Sequence, residues 1–404
     1  MNSKTRIGFV LAAACVSLVL AGCSAIKSPM PATGTWAASA QEVEAALMPQ
    51  EFQRLDDTTI RQIVRVSAGG DKLQVRFSNA FAGWRDTLVI SEANLAVCSA
   101  GASIIPETLT PLTFCGEKSV SIPYGTLFVS DAVDFDLPAG SDLAVTIHVA
   151  KAPAKTTGHR SARGEYAFIT SGNSARAQAL PGAEASKCWY YLCGVDVLAD
   201  YSAGSVVCLG DSITDGKGST EGLNLRWPDY LARRLQANPQ TEHIGLLNQG
   251  IGGNALWAGG IGCGALQRLN RDVFAQSGAK WVIVLEGIND LGGGNVSADE
   301  LIAGYRQIIV QSRACGLKVY GSTILPCGES FYYSAHLEEQ RKKVNDWIRN
   351  SGEFDAVIDW DMVVRDIEEP SRLKAACDSG DHLHLNDEGY RLMASAIDMR
   401  LFLR

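Results

Sequence analysis

After Gly204 the chain alternates apolar, strand-like runs with amphipathic helical patterns, and this alternation restricts the fold more than any other feature of the sequence. Such an order forms a parallel sheet with helices on both faces, because each helix returns the chain to start the next strand in the same direction. Ligands of these sheets bind beyond the carboxyl ends of the strands. Residues 204–404 are therefore predicted to form an α/β domain. The predicted strands are Ser205–Leu209, Ile244–Asn248, Trp281–Glu286, Leu317–Ile324 and Ala356–Asp359, and the predicted helices are Trp227–Leu235, Ala298–Ala314, His336–Arg349 and Asp387–Phe402.

Residues 35–200 show a different pattern, with short strand-like runs between turns and little helical periodicity. The runs Thr59–Val66 and Leu73–Ser78 flank a Gly-Gly-Asp turn and are predicted to form a hairpin. Short strands at this spacing are typical of an all-β sandwich, predicted here as a jelly-roll-like accessory domain. The other predicted strands are Thr108–Phe114, Ser119–Ile122, Thr126–Val129 and Leu143–Val149.

The first residues have the pattern of a secretory signal. Lys4 and Arg6 precede the apolar run Ile7–Leu20, which is too short to span a membrane comfortably. The following Leu-Ala-Gly-Cys resembles the bacterial lipobox, in which the cysteine is lipidated and becomes the new N-terminus. An ordinary signal peptide that happens to hold a cysteine there is the alternative. We predict a signal peptide over residues 1–22, lipidation of Cys23, a polar tether over residues 23–34, and an exported lipoprotein anchored to a membrane of the cell envelope.

The number of cysteines fits an exported protein only in part. Once Cys23 and one cysteine of the signal are set aside, nine of the 11 cysteines remain, so at least one thiol stays free. Closeness in sequence favours the pairs Cys98–Cys115 and Cys188–Cys193, although sequence alone leaves the connectivity open.

The charge distribution restricts the partners. The net charge is −8, and acidic and basic residues are mixed along the chain, so no basic stripe is available to neutralise phosphates. A nucleic-acid partner is therefore excluded. No pair of Cys-x-x-Cys units indicates zinc, and neither a cofactor nor a metal is predicted.

The first strand of the α/β half runs into Gly210-Asp211-Ser212. A serine hydroxyl is a poor nucleophile unless a base removes its proton and its position is fixed. A turn from strand to helix fixes that position, and the glycine permits close approach of the backbone. A serine that only caps a helix is the alternative.

Gly210-Asp211-Ser212 is the first of four blocks, which are short segments that carry candidate functional residues. The second and third blocks also follow predicted strands. Gly253 belongs to a glycine-rich segment at residues 248–254, where backbone N–H groups are available to stabilise an oxyanion, with Gly252 as the near alternative. A plain turn or a phosphate cradle explains the same glycines. Asn289 follows the third strand, and its side-chain amide is a suitable further donor. A helix cap or an Asx turn is the commoner role of a lone asparagine.

The fourth block places Asp381 three residues before His384 near the C-terminus. A general base needs a histidine oriented by a carboxylate, and one loop can carry both at this spacing. The neighbouring Asp378 and His382 form the competing pair. A metal site made by these four side chains explains the same residues, as does a solvated polar loop.

Together, the four blocks resemble those of the SGNH (GDSL-type) serine hydrolase superfamily. The resemblance covers the α/β half and implies a flavodoxin-like, three-layer α/β/α fold. It implies that Ser212 is the nucleophile, His384 the base and Asp381 the residue that orients the imidazole. It also implies an oxyanion hole made by the N–H groups of Ser212 and Gly253 and by the side chain of Asn289. The first half looks similar to the leading β-domain of a secreted bacterial branch of these hydrolases.

The resemblance implies a serine esterase that hydrolyses carboxylic esters through an acyl-enzyme. An exported, tethered esterase meets carbohydrate esters and lipids, and we expect a small-molecule or polysaccharide ester that loses short O-acyl groups. A lipase or lysophospholipase for longer chains is the near alternative, and a sugar-binding lipoprotein with a retired active site is a third. Trp189, Tyr190 and Tyr191 are candidates for stacking on sugars, although a place in the core at the domain junction is preferred.

Overall fold

The computed structural model describes residues 30–163, 165–199, 204–257, 260–294 and 296–403. Pro31–Arg404 form one compact unit. The predicted signal peptide and Cys23 lie outside the described residues. Within the described ranges, no helix is long and apolar enough to cross a membrane.

The first half of the compact unit is built almost entirely of antiparallel strands. β1 begins at Ala32, so part of the predicted tether is a strand in a sheet. The strands are β1 Ala32–Ala37, β2 Gln41–Glu42, β3 Thr58–Arg65, β4 Gly70–Ser78, β5 Thr87–Ala100, β6 Ser103–Ile104, β7 Thr110–Pro111, β8 Val120–Pro123, β9 Leu127–Val129, β10 Val133–Leu137, β11 Asp142–Lys151, β12 Thr157–His159, β13 Ala167–Ser171, β14 Glu184–Ser186, β15 Trp189–Tyr190 and β16 Leu192–Leu198, with 3-10 turns at Ala45–Leu47 and Pro106–Thr108.

Two sheets of this half share one hydrophobic core, which is the arrangement of a sandwich. One sheet has the order β1-β16-β4-β10, with β9 beside β4, and the other has the order β14-β13-β3-β11-β5-β6, with β7 and β8 beside β5. Val75 from the first sheet and Ile147 from the second belong to the same buried cluster. A third, small sheet has the order β15-β12-β2.

The predicted hairpin around the Gly-Gly-Asp turn is wrong. β3 pairs with β11 and β13, whereas β4 pairs with β9, β10 and β16, so the two strands belong to different sheets. The turn between them carries the chain across the sandwich. A Cβ at Gly69 would lie 2.4 Å from the carbonyl oxygen of Leu137, so close backbone packing, rather than a tight reversal, requires the glycine.

The second half is a five-stranded parallel sheet in the order β18-β17-β19-β20-β21, the order of flavodoxin-like folds. The strands are β17 Ser205–Gly210, β18 Gly245–Gly250, β19 Ala279–Leu285, β20 Lys318–Ser322 and β21 Ala356–Ile358. The helices are α1 Ser212–Asp215, α2 Trp227–Gln236, α3 Ala265–Leu269, α4 Ile288–Gly292, α5 Ala298–Ala314, α6 Ala335–Asn350, α7 Trp360–Val364 and α8 Asp387–Ser395, with a π-helical turn at Asn270–Phe274 and a 3-10 turn at Met399–Phe402.

Successive residues of β17 pack into different cores, and this produces the three layers. Val206 and Cys208 pack with residues of α2, α7 and α8, whereas Val207 and Leu209 pack with residues of α3, α5 and α6. Opposite faces of the sheet are therefore covered by different helices, as the alternating pattern predicts. The fold predicted for this half is confirmed, although the last predicted helix ends at Ser395 and is followed by a separate 3-10 turn.

The predicted disulfides are wrong, because all nine cysteines after Cys23 are free thiols. The Sγ atom of Cys188 lies 3.4 Å from the carbonyl oxygen of Arg160. The Sγ atom of Cys193 lies 3.4 Å from the carbonyl oxygen of Arg76. The two sulfurs thus contact different neighbours: Cys188 precedes β15, whereas Cys193 lies in β16.

The two halves pack on each other through backbone contacts. A Cβ at Gly245 would lie 1.8 Å from the carbonyl oxygen of Gly34, and the Gly34 N–H donates to the Ser277 carbonyl oxygen at 2.9 Å. Trp189, whose ring packs edge-on against another tryptophan at 5.0 Å, is buried beside this junction. Because Tyr190 and Tyr191 are also buried, these aromatics are core residues and are not free to stack on a sugar.

Glu165 is a buried carboxyl group in the first half that faces Arg226 of the second half. Among the described residues, neither of its carboxyl oxygens has a hydrogen-bond partner. Burial raises the pKa of Glu165 to about 7, because the charge of Arg226 and the nearby Asn224 side chain oppose this only in part, while the charges of Asp229 and Asp142 add to it.

We expect Glu165→Gln to stabilise the protein at alkaline pH. Because the pKa is raised in the folded state, Glu165 holds its proton more tightly there than in the unfolded chain. The stability that this provides is complete below the ordinary glutamate pKa and is lost as the pH rises through about 7. Glutamine keeps the shape of the protonated acid without ionising. The variant should be more stable than wild type by about 1–3 kcal/mol near pH 8 and similar near pH 4 to 5, measured by urea unfolding. The exposed Glu117→Gln is the control, and an equal response of both variants would contradict the assignment.

Candidate active site

The turn after β17 places Ser212 at the first position of α1. Asp211 caps this helix by accepting a hydrogen bond from the Ile213 N–H at 2.8 Å. A Cβ at Gly210 would lie 2.1 Å from Oγ1 of Thr214, so only glycine permits the chain to turn this tightly. Ser212 is almost buried, with 9% of its surface exposed.

A continuous hydrogen-bonded chain links Ser212, His384 and Asp381. Ser212 Oγ lies 2.8 Å from His384 Nε2, and His384 Nδ1 lies 2.6 Å from Asp381 Oδ2. The other oxygen of Asp381 accepts the N–H groups of His384 at 2.8 Å and Leu383 at 3.1 Å. Since the carboxylate accepts the proton on Nδ1, Nε2 is left as the acceptor that faces the serine hydroxyl.

The surroundings of this pair keep the imidazole neutral and the carboxylate charged. Burial lowers the pKa of His384, and the hydrogen bond and charge of Asp381 oppose this only in part. The positive charges of Lys217 and Arg163 lower it further. Burial acts to raise the pKa of Asp381, but the backbone and side-chain hydrogen bonds of His384 outweigh it and hold that pKa at about 2. The pair is therefore in the state that a general base requires.

The competing pair also forms, but it points elsewhere. His382 Nδ1 lies 2.6 Å from Asp378 Oδ2, and the His382 side chain is 45% exposed. Among the described residues, His384 Nε2 contacts the serine hydroxyl, whereas the His382 ring contacts the Asp378 carboxylate. The four side chains therefore divide into two separate pairs.

Three predicted oxyanion donors follow three neighbouring strand ends. In the parallel register, Gly210 lies beside Gly250 and Leu285, so the segments that follow β17, β18 and β19 start side by side. Within the described ranges, the N–H groups of Ser212 and Gly253 have no acceptor. Gly253 has a φ of 77°, and a Cβ there would lie 2.8 Å from Ile261, so the position is suited to glycine.

The third donor, Asn289, is held by two hydrogen bonds. Its Nδ2 donates to the Asn254 carbonyl oxygen at 2.7 Å, and its Oδ1 accepts from the Tyr332 hydroxyl at 3.0 Å. An amide nitrogen carries two protons, so the bond to Asn254 uses one and leaves one for another acceptor. Sequence reasoning did not find Tyr332, because it lies 43 positions after Asn289 with no local motif.

Arg268 is a buried cation that joins the ends of these strands, and sequence reasoning missed it. Its guanidinium donates to the carbonyl oxygens of Gly210 at 3.0 Å and Gln249 at 2.7 Å. It also donates to Oδ1 of Asn254 at 3.0 Å and to Oε1 of Glu286 at 3.2 Å. One side chain thus connects the nucleophile turn, the glycine-rich segment and the end of β19.

The carboxyl groups around Arg268 are strongly perturbed. Burial raises the pKa of Asp211 to about 7, and burial together with Asp211 raises the pKa of Glu286 well above its ordinary value. Asp272, which also receives the guanidinium, has a lowered pKa because Arg271 and Arg268 outweigh the effect of its burial. Because burial raises the pKa of Asp211 and of Glu286, the cluster around the arginine carries less negative charge than its number of carboxyl groups suggests.

The first half supplies two side chains that hold α1. His159 places Nε2 3.1 Å from Oδ1 of Asp215 and Nδ1 3.0 Å from the Ser39 carbonyl oxygen. Arg163 forms an ion pair with the other oxygen of Asp215. Burial acts to raise the pKa of Asp215, but Arg163 and the His159 hydrogen bond outweigh it and keep that pKa below its ordinary value. Asp215 and these partners were not among the predicted site residues.

Within the described ranges, no group of three or more histidine, cysteine, aspartate or glutamate side chains is arranged to hold a metal ion.

Comparison with known proteins identifies the family of the α/β half. Residues 208–392 match the sequence profile of the GDSL-like lipase/acylhydrolase family. The α/β half belongs to that family. Because it contains this GDSL-type domain, the chain is a carboxylic ester hydrolase of the SGNH superfamily. No curated protein sequence matches the chain significantly.

Three solved structures are similar to this GDSL-type chain. An aryl esterase of M. smegmatis is 15% identical, with a TM-score of 0.40 and coverage of 50% of this chain and 100% of that one. An acetyl xylan esterase is 21% identical, with a TM-score of 0.37 and coverage of 48% and 96%. A family two carbohydrate esterase from Clostridium thermocellum, in complex with cellohexaose, is 14% identical, with a TM-score of 0.39 and coverage of 83% and 91%.

We expect Arg268→Met to destabilise the GDSL-type hydrolase strongly. The variant leaves the buried carboxylate of Asp272 and the carbonyl oxygens of Gly210 and Gln249 without this cation, which costs about 3 kcal/mol or more. The free energy of unfolding from urea titration measures this loss. Arg400→Met, which removes an 84% exposed arginine from its pair with Asp398, is the control and should change little. A loss in the Arg268 variant no larger than in the control would show that the buried network does not stabilise the fold.

Proposed function

We propose that the protein hydrolyses esters with Ser212 as nucleophile, His384 as general base and Asp381 as the residue that orients the imidazole. The observation that carries the proposal is the contact of Ser212 Oγ with His384 Nε2 at 2.8 Å, continued from Nδ1 to Asp381 at 2.6 Å. No other histidine contact with this serine occurs among the described residues.

The reaction has two stages in this proposal. Ser212 Oγ attacks the ester carbonyl carbon while His384 Nε2 takes the hydroxyl proton. The negative oxygen that forms accepts the N–H groups of Ser212 and Gly253 and the free amide proton of Asn289. The carbon–oxygen bond to the alcohol then breaks, and His384 gives its proton to the leaving oxygen. A water molecule, activated by the same imidazole, attacks the acyl-enzyme and releases the acid and the serine.

We propose that the substrate is a short O-acyl ester of a carbohydrate. The positive charges of Arg163 and Lys217 act on His384, so the surroundings of the nucleophile are polar on that side. Ile261, which packs against Gly253, offers a small apolar contact suited to an acetyl methyl group. Phe331 is 75% exposed and packs on Tyr332, whose hydroxyl bonds to Asn289, so an aromatic surface is available for a sugar ring near the oxyanion donors.

We also propose that the enzyme is exported and anchored by a lipid on Cys23. The support is the sequence pattern alone, with a charged start, a short apolar run and Leu-Ala-Gly-Cys. Labelling of growing cells with a radioactive fatty acid tests this, because Cys23→Ser should abolish the incorporation of label.

We expect Ser212→Ala to lower hydrolysis of p-nitrophenyl acetate at least about 10³-fold, because the nucleophile is removed. A small side chain at this turn should leave the unfolding temperature nearly unchanged. Ser395→Ala, in the last helix, is the control variant. The series of p-nitrophenyl esters from acetate to palmitate should show a preference for short chains, and a preference for palmitate would contradict the substrate proposal.

The two Asp–His pairs of one loop provide a matched test of the base. His384→Gln should lose nearly all activity, whereas His382→Gln should keep most of it, because His382 contacts only Asp378. The reverse result would assign the base to the competing pair.

We expect the acid limb of kcat/KM to lie below the ordinary histidine pKa. The reaction needs neutral His384, and burial lowers the pKa of this histidine, so activity should persist to lower pH than for an exposed imidazole. Activity should then fall as the pH decreases through that lowered pKa. A profile of p-nitrophenyl acetate hydrolysis between about pH 4 and 9 measures it, and an acid limb clearly above the ordinary histidine pKa would contradict this environment.

A further inference from the structure

The side-chain amide of Asn289 has two possible orientations, and its neighbours are compatible with only one. Asn289 Nδ2 faces the Asn254 carbonyl oxygen, which only accepts, while Oδ1 faces the Tyr332 hydroxyl. A flipped amide would place its oxygen against the Asn254 carbonyl oxygen at the same distance, and this contact is repulsive. The donor function proposed for Asn289 depends on keeping the orientation that is observed.

We propose that Tyr332 is a positioning residue that fixes the oxyanion-donating orientation of Asn289. This inference rests on the proposed esterase mechanism. The Tyr332 hydroxyl donates to Oδ1 and fixes the oxygen end of the amide. One proton of Nδ2 then bonds to the Asn254 carbonyl oxygen, and the second proton stays available for the oxyanion. Tyr332 acts through Asn289 and does not itself touch the reacting atoms.

The ring of Tyr332 is held in place independently of its hydroxyl. A Cβ at Gly292, at the end of α4, would lie 2.5 Å from this ring, so the ring packs directly on the helix that carries Asn289. The Phe331 ring lies 4.3 Å from it, centroid to centroid. Removing only the hydroxyl should therefore leave the ring in position.

The hydroxyl is also kept as a donor. Burial raises the pKa of Tyr332, and the charge of Asp211 raises it further, so the phenol remains protonated throughout the pH range of ester hydrolysis. A protonated phenol whose oxygen lies 3.0 Å from an amide oxygen donates to it.

The test is Tyr332→Phe, with Tyr333→Phe as the matched control. Tyr333 is the next residue and 44% exposed, and it has no part in the site. We expect Tyr332→Phe to lower kcat for p-nitrophenyl acetate about 3- to 10-fold with KM changed less than about 2-fold, because one hydrogen bond acting on transition-state stabilisation is lost. The affinity for a boronic acid that mimics the tetrahedral intermediate should fall in parallel with kcat. Tyr333→Phe should change none of these values.

A double-mutant cycle separates this role from others. Asn289→Ala should lower kcat about 10²-fold or more, and adding Tyr332→Phe to it should have no further effect, because Tyr332 acts only through the amide. An equal loss from Tyr332→Phe in both backgrounds would overturn the inference, as would a change in KM alone. If Asn289→Ala keeps full activity, the proposed oxyanion hole is wrong. If Ser212→Ala keeps full activity, the proposed mechanism as a whole is wrong.

Discussion

The guanidinium of Arg268 is the interaction on which the geometry of the site most depends. The nucleophile turn starts at the end of β17 and the glycine-rich segment starts at the end of β18, and both ends are buried. Arg268 satisfies the carbonyl oxygens of Gly210 and Gln249 together. A buried cation needs a compensating charge, and Asp272, whose pKa is lowered beside Arg268 and Arg271, supplies it. Precise positioning at the strand ends is thus obtained from one long side chain that reaches several loops.

The first half of the chain contributes to the same site from the other side. Asp215 ends the short helix that begins with Ser212, and both of its oxygens are bound by residues of the strand-rich half, His159 and Arg163. A helix of four residues has little stability of its own, so its position depends on such contacts. Ser39, also from the first half, bonds to Arg268 at 3.0 Å. The β-sandwich is therefore part of the support of the reactive serine as well as a neighbour of the catalytic fold.

The sequence predicted the parallel sheet from its alternating pattern and Ser212 from a block that directly follows a strand. It predicted the pair Asp381 and His384 from their spacing of three residues, which lets the one loop before α8 carry both. Arg268, Arg163 and Tyr332 were missed for the opposite reason, since each is a single residue whose partners are distant in sequence. The hairpin between β3 and β4 was predicted wrongly because a Gly-Gly-Asp turn has the same local composition whether the next strand pairs with the previous one or joins another sheet. Periodicity reports which face of a segment is buried, but not which sheet buries it.

The nine free thiols among the described residues determine how that part of the fold responds to its redox surroundings. Thiol–disulfide exchange requires a thiolate, and burial raises the pKa of Cys193 to about 12 and that of Cys327 to about 11. These groups are therefore poor targets for oxidants or disulfide catalysts at neutral pH. No disulfide joins the described residues, so packing, hydrogen bonds and buried charge networks hold that part of the fold together. A reducing agent therefore has no bond to break there, and the buried thiols of Cys188 and Cys193 keep their contacts with backbone carbonyl oxygens.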